Sequence, residues 1–551
     1  MIELFEKALK ELGYENEVKI SASKAADYQF DGCFKLAKLY HKAPFQIASE
    51  VINKIKEDAR YDDYFKNLEV AGPGFINITV SDKYISGEIR QLINSDSLTS
   101  KEEGLYVLDY GGPNVAKPLH VGHLRSAIIG QSINNILKYK GYKTVSDVHL
   151  GDFGLQIGQV IYGILKDNSG VDIKDIDFDL AYLNETYPKI SGLCKENEEV
   201  KNECALITKK LQDGDPDYKI LWQKIMEISI QDIKRIYRYL SVDFDLWYGE
   251  SDAYKYYGRL FKILEDYIIV DKGAKIIEVK EDDDKIDIPP CIVEKSDGAF
   301  LYATSDLGTI LQREEDYHPD DIIYIADERQ SMHFTQVFRA AKKAHIYEGK
   351  FEHHGFGTVN GKDNKPFKTR SGVALKLEGL IEAVRENFIN LREENKDMPK
   401  EDLDKIINAI LKFADLQNNM ERNYIFDIKK FCEVNGKTGP YILYTYLRIN
   451  KIIDECYELS DTVYNEYDKA LRLKLLEVSN VIDLAAKERR PHYIADYLYE
   501  LAVLSNNFYQ NNRMSDIEGK QKEDFNALLT FNNRVIKELL GLLGIDIPSA
   551  M

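Results

Sequence analysis

The chain has 551 residues, 44% of them hydrophobic and 11% aromatic, and a formal net charge of −19 at pH 7. That length predicts several domains, and that composition excludes a disordered or fibrous chain. The acidic excess excludes a protein that coats nucleic acid by overall charge, while leaving local basic patches open.

The N-terminal stretch MIELFEKALKELGYENE is charged and helix-like, unlike a secretory or transit signal. No apolar run reaches bilayer length, so the expectation is a cytoplasmic protein without a membrane partner. Six scattered cysteines without a CxxC pair predict reduced thiols and no metal site.

Residues 1 to about 104 predict a small α+β module. A helix is expected from Pro44 through KAPFQIASEVINKI, and a strand at GFINITV. From 105 the pattern changes. YVLDYGG reads as a strand running into glycines, and LRSAIIGQSINNILKYK as a helix with Leu124, Ile128, Ile136 and Leu137 inward and Gly141 ending it. YKTVSDVHLGDFG reads as the next strand. Strand, glycine turn, helix, strand is a βαβ unit and predicts a doubly wound, Rossmann-like parallel sheet. Strands at AFLYAT, DDIIYIAD and HHGFGTVNG are expected to extend it to about 375, with 165–295 as insertions and connecting helices. Residues 376–430 read as connecting helices, and 431–551 as a separate all-α bundle with heptad-like apolar spacing.

The histidines of PNVAKPLHVGHLRS, His120 and His123, fall where the first strand of the sheet leads into its helix. Ligands of open parallel sheets bind at that end, and a helix N-terminus suits a phosphate. Gly122 is expected to let a ligand approach the backbone, and side chains three apart share a helix face on which both imidazoles could donate to one anion. Taken alone, an HxxH pair is also compatible with a purely structural role or with half a metal site.

The surroundings narrow the choice. DYGGPNVAKPLHVGHLRS (109–126) resembles the signature region of the class I aminoacyl-tRNA synthetases, in the form found in the arginyl-tRNA synthetases. Asn114, Ala116 and Lys117 reproduce the family's lead-in to the histidine pair. GDFGLQIG at 151–158, LYATSD at 301–306 and FKTRSG at 367–372 match in order, and the C-terminal helices resemble the family's anticodon-binding domain. The resemblance covers essentially the whole chain.

It implies an enzyme that ligates L-arginine to its tRNA through arginyl-adenylate, using ATP with Mg2+. His120, His123 and Lys117 would serve catalysis, with Lys368 and Arg370 on the departing pyrophosphate. Gly122 and Ser371 would join these five at ATP. The loop FKTRS departs from the lysine-methionine-serine-lysine-serine pattern of the class, and Lys117 is thought to compensate. Asp109, Asn114, His120, Tyr302, Asp306 and Gln330 match the arginine pocket; a carboxylate can accept two parallel N–H bonds from a guanidinium, which an ammonium cannot reproduce. For tRNA the resemblance implies Tyr28 and Gln29 in the N-terminal module, where Asp31 replaces an asparagine common in the family. It implies Tyr441, Tyr444 and Met551 at the anticodon. Arg448, Lys451, Arg489 and Arg490 cluster in sequence and are expected to form a local basic face. A monomer without a separate editing activity is the family expectation.

Rival readings remain at this stage. A glutamate enzyme would present a cation in place of Asp306 with Tyr302, and a cysteine enzyme would need zinc ligands. A non-catalytic tRNA-binding relative would not need both histidines, Lys117 and the FKTRSG loop. An ATP-dependent small-molecule ligase would not need the helical C-terminal domain.

Overall fold

The computed structural model describes residues 1–23, 25–296, 298–365, 376–454 and 457–551. The chain folds into two compact units, one formed by 1–100, 445–481 and 497–537, the other by 101–444, 482–496 and 538–551.

The first unit combines a four-stranded antiparallel sheet with helices. Its strands are β1 (Ile20–Ala22), β2 (Tyr28–Phe30), β3 (Phe65–Ala71) and β4 (Phe75–Val80), in the order β1-β2-β4-β3. Helix Pro44–Lys56 begins at its proline, whose missing N–H costs nothing at that position. It buries Ile47, Val51 and Ile55 against Phe5, Phe30 and Ile78. Within the same unit Arg472 is fully buried, donating to Asp468 Oδ1 at 2.6 Å and to Ser86 Oγ at 2.7 Å. Arg534 donates to the carbonyls of Ile93 and Ser95, supplying a cation where the helix Asp82–Asn94 ends.

The second unit is built on four parallel strands: β5 (Leu105–Tyr110), β6 (Lys143–Asp147), β10 (Asp321–Asp327) and β11 (Lys350–Phe356), ordered β11-β10-β5-β6. The intervening antiparallel sheet consists of β7 (Ile269–Asp271), β8 (Ala274–Ile277) and β9 (Cys291–Glu294); a short parallel pair joins β12 (Val359–Asn360) to β13 (Tyr424–Ile425). Helix Val121–Lys140 follows β5 and ends at Gly141, whose φ of +102° is the left-handed cap a glycine provides. Leu124, Ile128, Ile136 and Leu137 are all buried, as their spacing predicts.

One predicted strand is absent. AFLYAT does not join the sheet: Leu301 is extended and caps a helix, Tyr302–Tyr317. Ala303, Leu307, Ile310 and Leu311 recur at helical spacing and enter the core, which outweighs the β tendency of Phe300 to Tyr302. Only Phe300 keeps a bridge, to Glu294.

From β5 the chain moves to β6 on one side, then to β10 on the other. The crevice between the carboxyl ends of β5 and β10 is therefore the topological switch point of the sheet. Ser126 pins it: its Oγ accepts from Gly111 N and donates to Ile325 O, each at 2.8 Å.

Candidate active site

A cavity of about 880 Å³ opens at this switch point. It gathers Asp109, Asn114, His120, Gly122, His123, Tyr302, Asp306 and Gln330, residues spread over more than two hundred positions of sequence.

The two histidines are arranged by the helix they begin. His120 is the N-cap; its Nδ1 accepts from Gly122 N at 3.0 Å, while His123 Nδ1 accepts from His120 N at 3.1 Å. Each Nδ1 lone pair is thus engaged, so a neutral ring carries its proton on Nε2. The rings stack with centroids 3.8 Å apart. Burial, then Lys117, lowers the pKa of His120; burial, then His120 and Lys117, lowers His123 to about 3. Both are neutral Nε2–H donors at physiological pH. Gly122 acquires a different reason from the expected one. A Cβ there would stand 2.8 Å from His120 Cε1, so the glycine makes room for the capping imidazole.

Asn114 is held by the GDFGLQIG stretch. Val115 N donates to Gly151 O and Gly151 N to Pro113 O, each at 3.1 Å, and Gln156 Nε2 donates to the Asn114 amide oxygen. A Cβ on Gly151 would overlap that oxygen. Asp109, at the end of β5, accepts from Arg313 Nη2 at 2.6 Å; the same nitrogen donates to Asp147 at 2.8 Å. Arg313 is fully buried. Asp109, Asp147 and His149 have ligand atoms within 4.8 Å of one another, a spacing open to a metal ion. The guanidinium already bonds two of the three and supplies the positive charge there.

Asp306 lies on the second turn of its helix, beyond the first-turn position where a carboxylate serves mainly the helix dipole. His333 Nε2 approaches its Oδ2 at 2.5 Å. Burial acts to lower the pKa of His333, but Asp306 more than offsets it and the net shift is upward. Glu250 lines the same cavity; burial, together with Asp152 and Asp306, pushes its carboxyl up to about 7. Tyr302 and Gln330 are exposed on the lining.

Sequence reading missed His149, Arg313, Glu250, His333 and Arg125. Arg125 lies two residues beyond His123. It is fully buried, bonded to Asp415 and donating to the carbonyls of Gly357 at 2.8 Å and Arg422 at 3.2 Å. It thereby fixes the Gly357–Val359 wall of the cavity. A charged residue at a helix position that must face inward was the available signal. For the others, nothing local distinguishes them.

The description "tRNA synthetases class I (R), catalytic domain" matches residues 88–428, "Arginyl tRNA synthetase N terminal domain" matches 1–80, and "DALR anticodon binding domain" matches 442–551. The chain is 39% identical to an arginine–tRNA ligase of Alkaliphilus oremlandii over 95% of this chain and 94% of that one. The chain belongs to the arginyl-tRNA synthetases. A second relative, an arginine–tRNA ligase of Agathobacter rectalis, is 38% identical over 99% of this chain and 98% of its own. Among solved structures, the arginyl-tRNA synthetases of Plasmodium falciparum and Thermus thermophilus share the fold. Their TM-scores are 0.83 and 0.81, at 23% and 21% identity, covering all of this chain and 98% and 99% of theirs.

The remaining predicted residues of this synthetase are placed as follows. Lys117 is not on the cavity lining: its ammonium sits over the Tyr187 ring, 4.4 Å from the centroid. Lys368, Arg370 and Ser371 lie outside the described residues. Tyr28 is half-buried on β2, where burial raises its hydroxyl to about 12, and Gln29 donates to Asn77 at 2.8 Å. Asp31 is exposed. Tyr444 and Met551 line one small cavity of about 110 Å³ with Phe388, Arg392, Met398 and Val434; Tyr441 is half-buried on the same helix as Tyr444.

The expected basic face is corrected. Arg489 is buried, bonded to Glu352 at 3.3 Å and lying over Tyr106; Arg490 pairs with Glu421. Both are neutralised by carboxylates within their own unit, and Arg489 is withdrawn from solvent, because an uncompensated buried guanidinium would be far costlier. Arg448 lies over the Tyr509 ring and donates to Asn506, while Lys451 is exposed.

Proposed function

We propose that the chain joins L-arginine to its tRNA in two steps within the cavity at the switch point. The arginine carboxylate attacks the α-phosphorus of ATP, giving arginyl-adenylate and pyrophosphate. A terminal ribose hydroxyl of the tRNA then attacks the activated carbonyl, and AMP leaves. ATP enters as its Mg2+ complex.

The observation that carries this reading is the juxtaposition of two neutral Nε2–H donors at a helix N-terminus with a carboxylate pair, Asp306 and Glu250, in one cavity. Phosphoryl transfer of this kind depends on positioning and on donors aimed at developing charge, rather than on covalent chemistry by the protein. His120 and His123 supply such donors, and as neutral groups they need not shed a proton to act. The positive end of the helix dipole adds to them. Lys117, on its four-carbon stem, would leave the Tyr187 ring to reach the phosphates, with Lys368, Arg370 and Ser371 on the pyrophosphate side.

For the amino acid, Asp109 receives the α-ammonium, and Asn114, His120 and Gln330 hold the carboxylate end. Asp306, Tyr302 and Glu250 read the guanidinium. Burial chiefly raises Glu250, with Asp152 and Asp306 adding like-charge repulsion, and a planar cation between Asp306 and Glu250 relieves that repulsion. Lysine lacks the fork to satisfy both, so one-step discrimination suffices and no editing step is needed. A glutamate-specific pocket would need a cation where Asp306 stands.

For the tRNA, Tyr444 and Met551 suit an unstacked base, with Tyr441 nearby and Tyr28 and Gln29 touching the tRNA elsewhere. Among the described residues no helix is long and apolar enough to cross a membrane.

The deciding experiment is ATP–pyrophosphate exchange with each amino acid, with and without tRNA. Exchange with arginine alone among the amino acids supports the reading, and a requirement for tRNA adds coupling between its binding and activation. Folded protein that binds tRNA yet supports no exchange under any condition would favour the non-catalytic relative.

A further inference from the structure

His149 is used neither by the fold's core nor by the residues assigned above. It follows β6 with φ of +42°, a left-handed backbone in which Asn, Asp and His are several-fold enriched among side-chain-bearing residues. Its imidazole lines the cavity, and among the described residues neither ring nitrogen has a hydrogen-bond partner. Nδ1 stands 3.7 Å from Asp147 Oδ2, too long for a hydrogen bond but close enough for an ion pair.

The charged groups facing it are Asp109 from β5, Asp147 from β6, Arg313 from the helix Tyr302–Tyr317, Asp152 from the following loop and Glu250. Asp109 and Asp147 share the single guanidinium of Arg313; burial pushes the Asp109 carboxyl up, against the pull of Arg313 and His149, so its charge depends on the cations that face it. Asp152 and Glu250 are pushed up by burial, to about 6 and about 7, and so add only part of their charge near neutrality.

We propose that His149 is an exchangeable counter-cation: in the empty cavity its imidazolium balances the Asp109–Asp147 pair, and the incoming α-ammonium of arginine takes over that role and expels the proton to solvent. No other bond forms or breaks. The inference rests on the reading of Asp109 as the seat of the α-ammonium. Burial acts to lower the His149 pKa, but Asp147 and Asp109 outweigh it and hold it at about 9 in the empty site. One ligand atom each of Asp109 and His149 lies within 4.8 Å of the other. An ammonium seated on Asp109 at a comparable separation, taken as about 5 Å with an effective dielectric constant of ~20, would weaken the hold on the proton by roughly two pK units, about a hundredfold. Between about pH 7 and 9 the free protein therefore carries a proton that the arginine complex lacks. Arginine affinity rises with pH through that window, by up to about tenfold per unit, is level below it, and falls where the free α-ammonium of arginine itself loses its proton.

The test is calorimetric titration of the full chain with L-arginine at pH 7.5, in buffers of differing ionisation enthalpy. Release of about half to one proton per arginine bound is expected. His149→Asn, chosen because asparagine tolerates the left-handed backbone, should bind arginine without that release. Wild-type protein that binds arginine with no proton released, or a variant that releases as much as wild type, overturns the proposal while leaving the arginine site intact. Failure to bind arginine at all, with or without tRNA, overturns the site reading itself and the proposal with it; the binding isotherm separates the two cases.

Discussion

At the scale of the residue, the histidine pair shows how one side chain can serve fold and chemistry at once. Nδ1 of each ring closes the helix cap, and Nε2 is left to the ligand. On the proposed reading, alanine at either position removes a donor to the transition state, so pyrophosphate exchange should fall by roughly 10²-fold or more; a near-normal rate would end the assignment. The pH dependence follows from the direction of the shifts. Because the folded-state pKa of His123 is depressed to about 3, its neutral donor form persists as pH falls through 6.5 and is lost only far lower. The exchange rate should show no inflection near 6.5 from this residue, and a pH–rate profile checks it. Asp306 offers a second residue-level prediction. Asp306→Asn should lower kcat/KM for arginine by at least about 30-fold, with KM for ATP little changed, since the variant leaves a guanidinium facing a neutral amide. Equal losses for both substrates would point to a structural role through His333 instead.

At the scale of the element, the glycines of the site are explained by close approach to particular neighbours. Gly151→Ala would drive a methyl into the Asn114 amide, which sits on the cavity lining. We expect KM for arginine to rise about tenfold or more, with the protein folded by circular dichroism; an unchanged KM would separate Asn114 from the amino acid. The segment AFLYAT shows why a short apolar run misleads. Six residues of aromatic and small side chains suit a strand as well as a helix entrance, and the outcome depends on Leu307, Ile310 and Leu311, one to three turns later, finding the core. The βαβ unit was legible because strand, turn and helix each carried their own signal: an apolar run, a glycine pair and a long apolar-rich segment, buried on most of its faces, closed by Gly141.

At the scale of the whole molecule, buried charge is the recurrent theme. Arg125, Arg313 and Arg472 are among the largest fully buried side chains, and each has a buried acidic partner far off in sequence or on the next helical turn. Lys412 is the exception: its ammonium is buried against the Gly544 carbonyl, and burial lowers its pKa to about 7. The unfolded chain holds that proton up to an ordinary lysine value near 10.4, so between the two values the unfolded state binds more protons and stability rises with pH. Lys412→Met removes the linkage. The stability difference between wild type and variant, read by calorimetric melting at pH 7 and pH 9, should shift in favour of wild type by more than about 1 kcal/mol. A difference independent of pH would mean that the ammonium stays charged where it lies.

By itself the sequence determined the parallel sheet, the helix carrying the histidines and eight of the residues that line the cavity, because these depend on local periodicity and on motifs whose spacing is set by one turn or one strand. It also determined the family, since four separated motifs stood in order. Tertiary structure alone decided which charges are spent inside. Arg489 and Arg490 look like surface cations in sequence, yet both are paired with glutamates and Arg489 is buried. His149, Glu250 and Arg313 carry no local signature, and become part of the site only because β5, β6 and the helix Tyr302–Tyr317 meet at one end of the sheet. Electrostatic roles depend on separations of a few ångströms between residues hundreds of positions apart, and such separations exist only once the chain has folded.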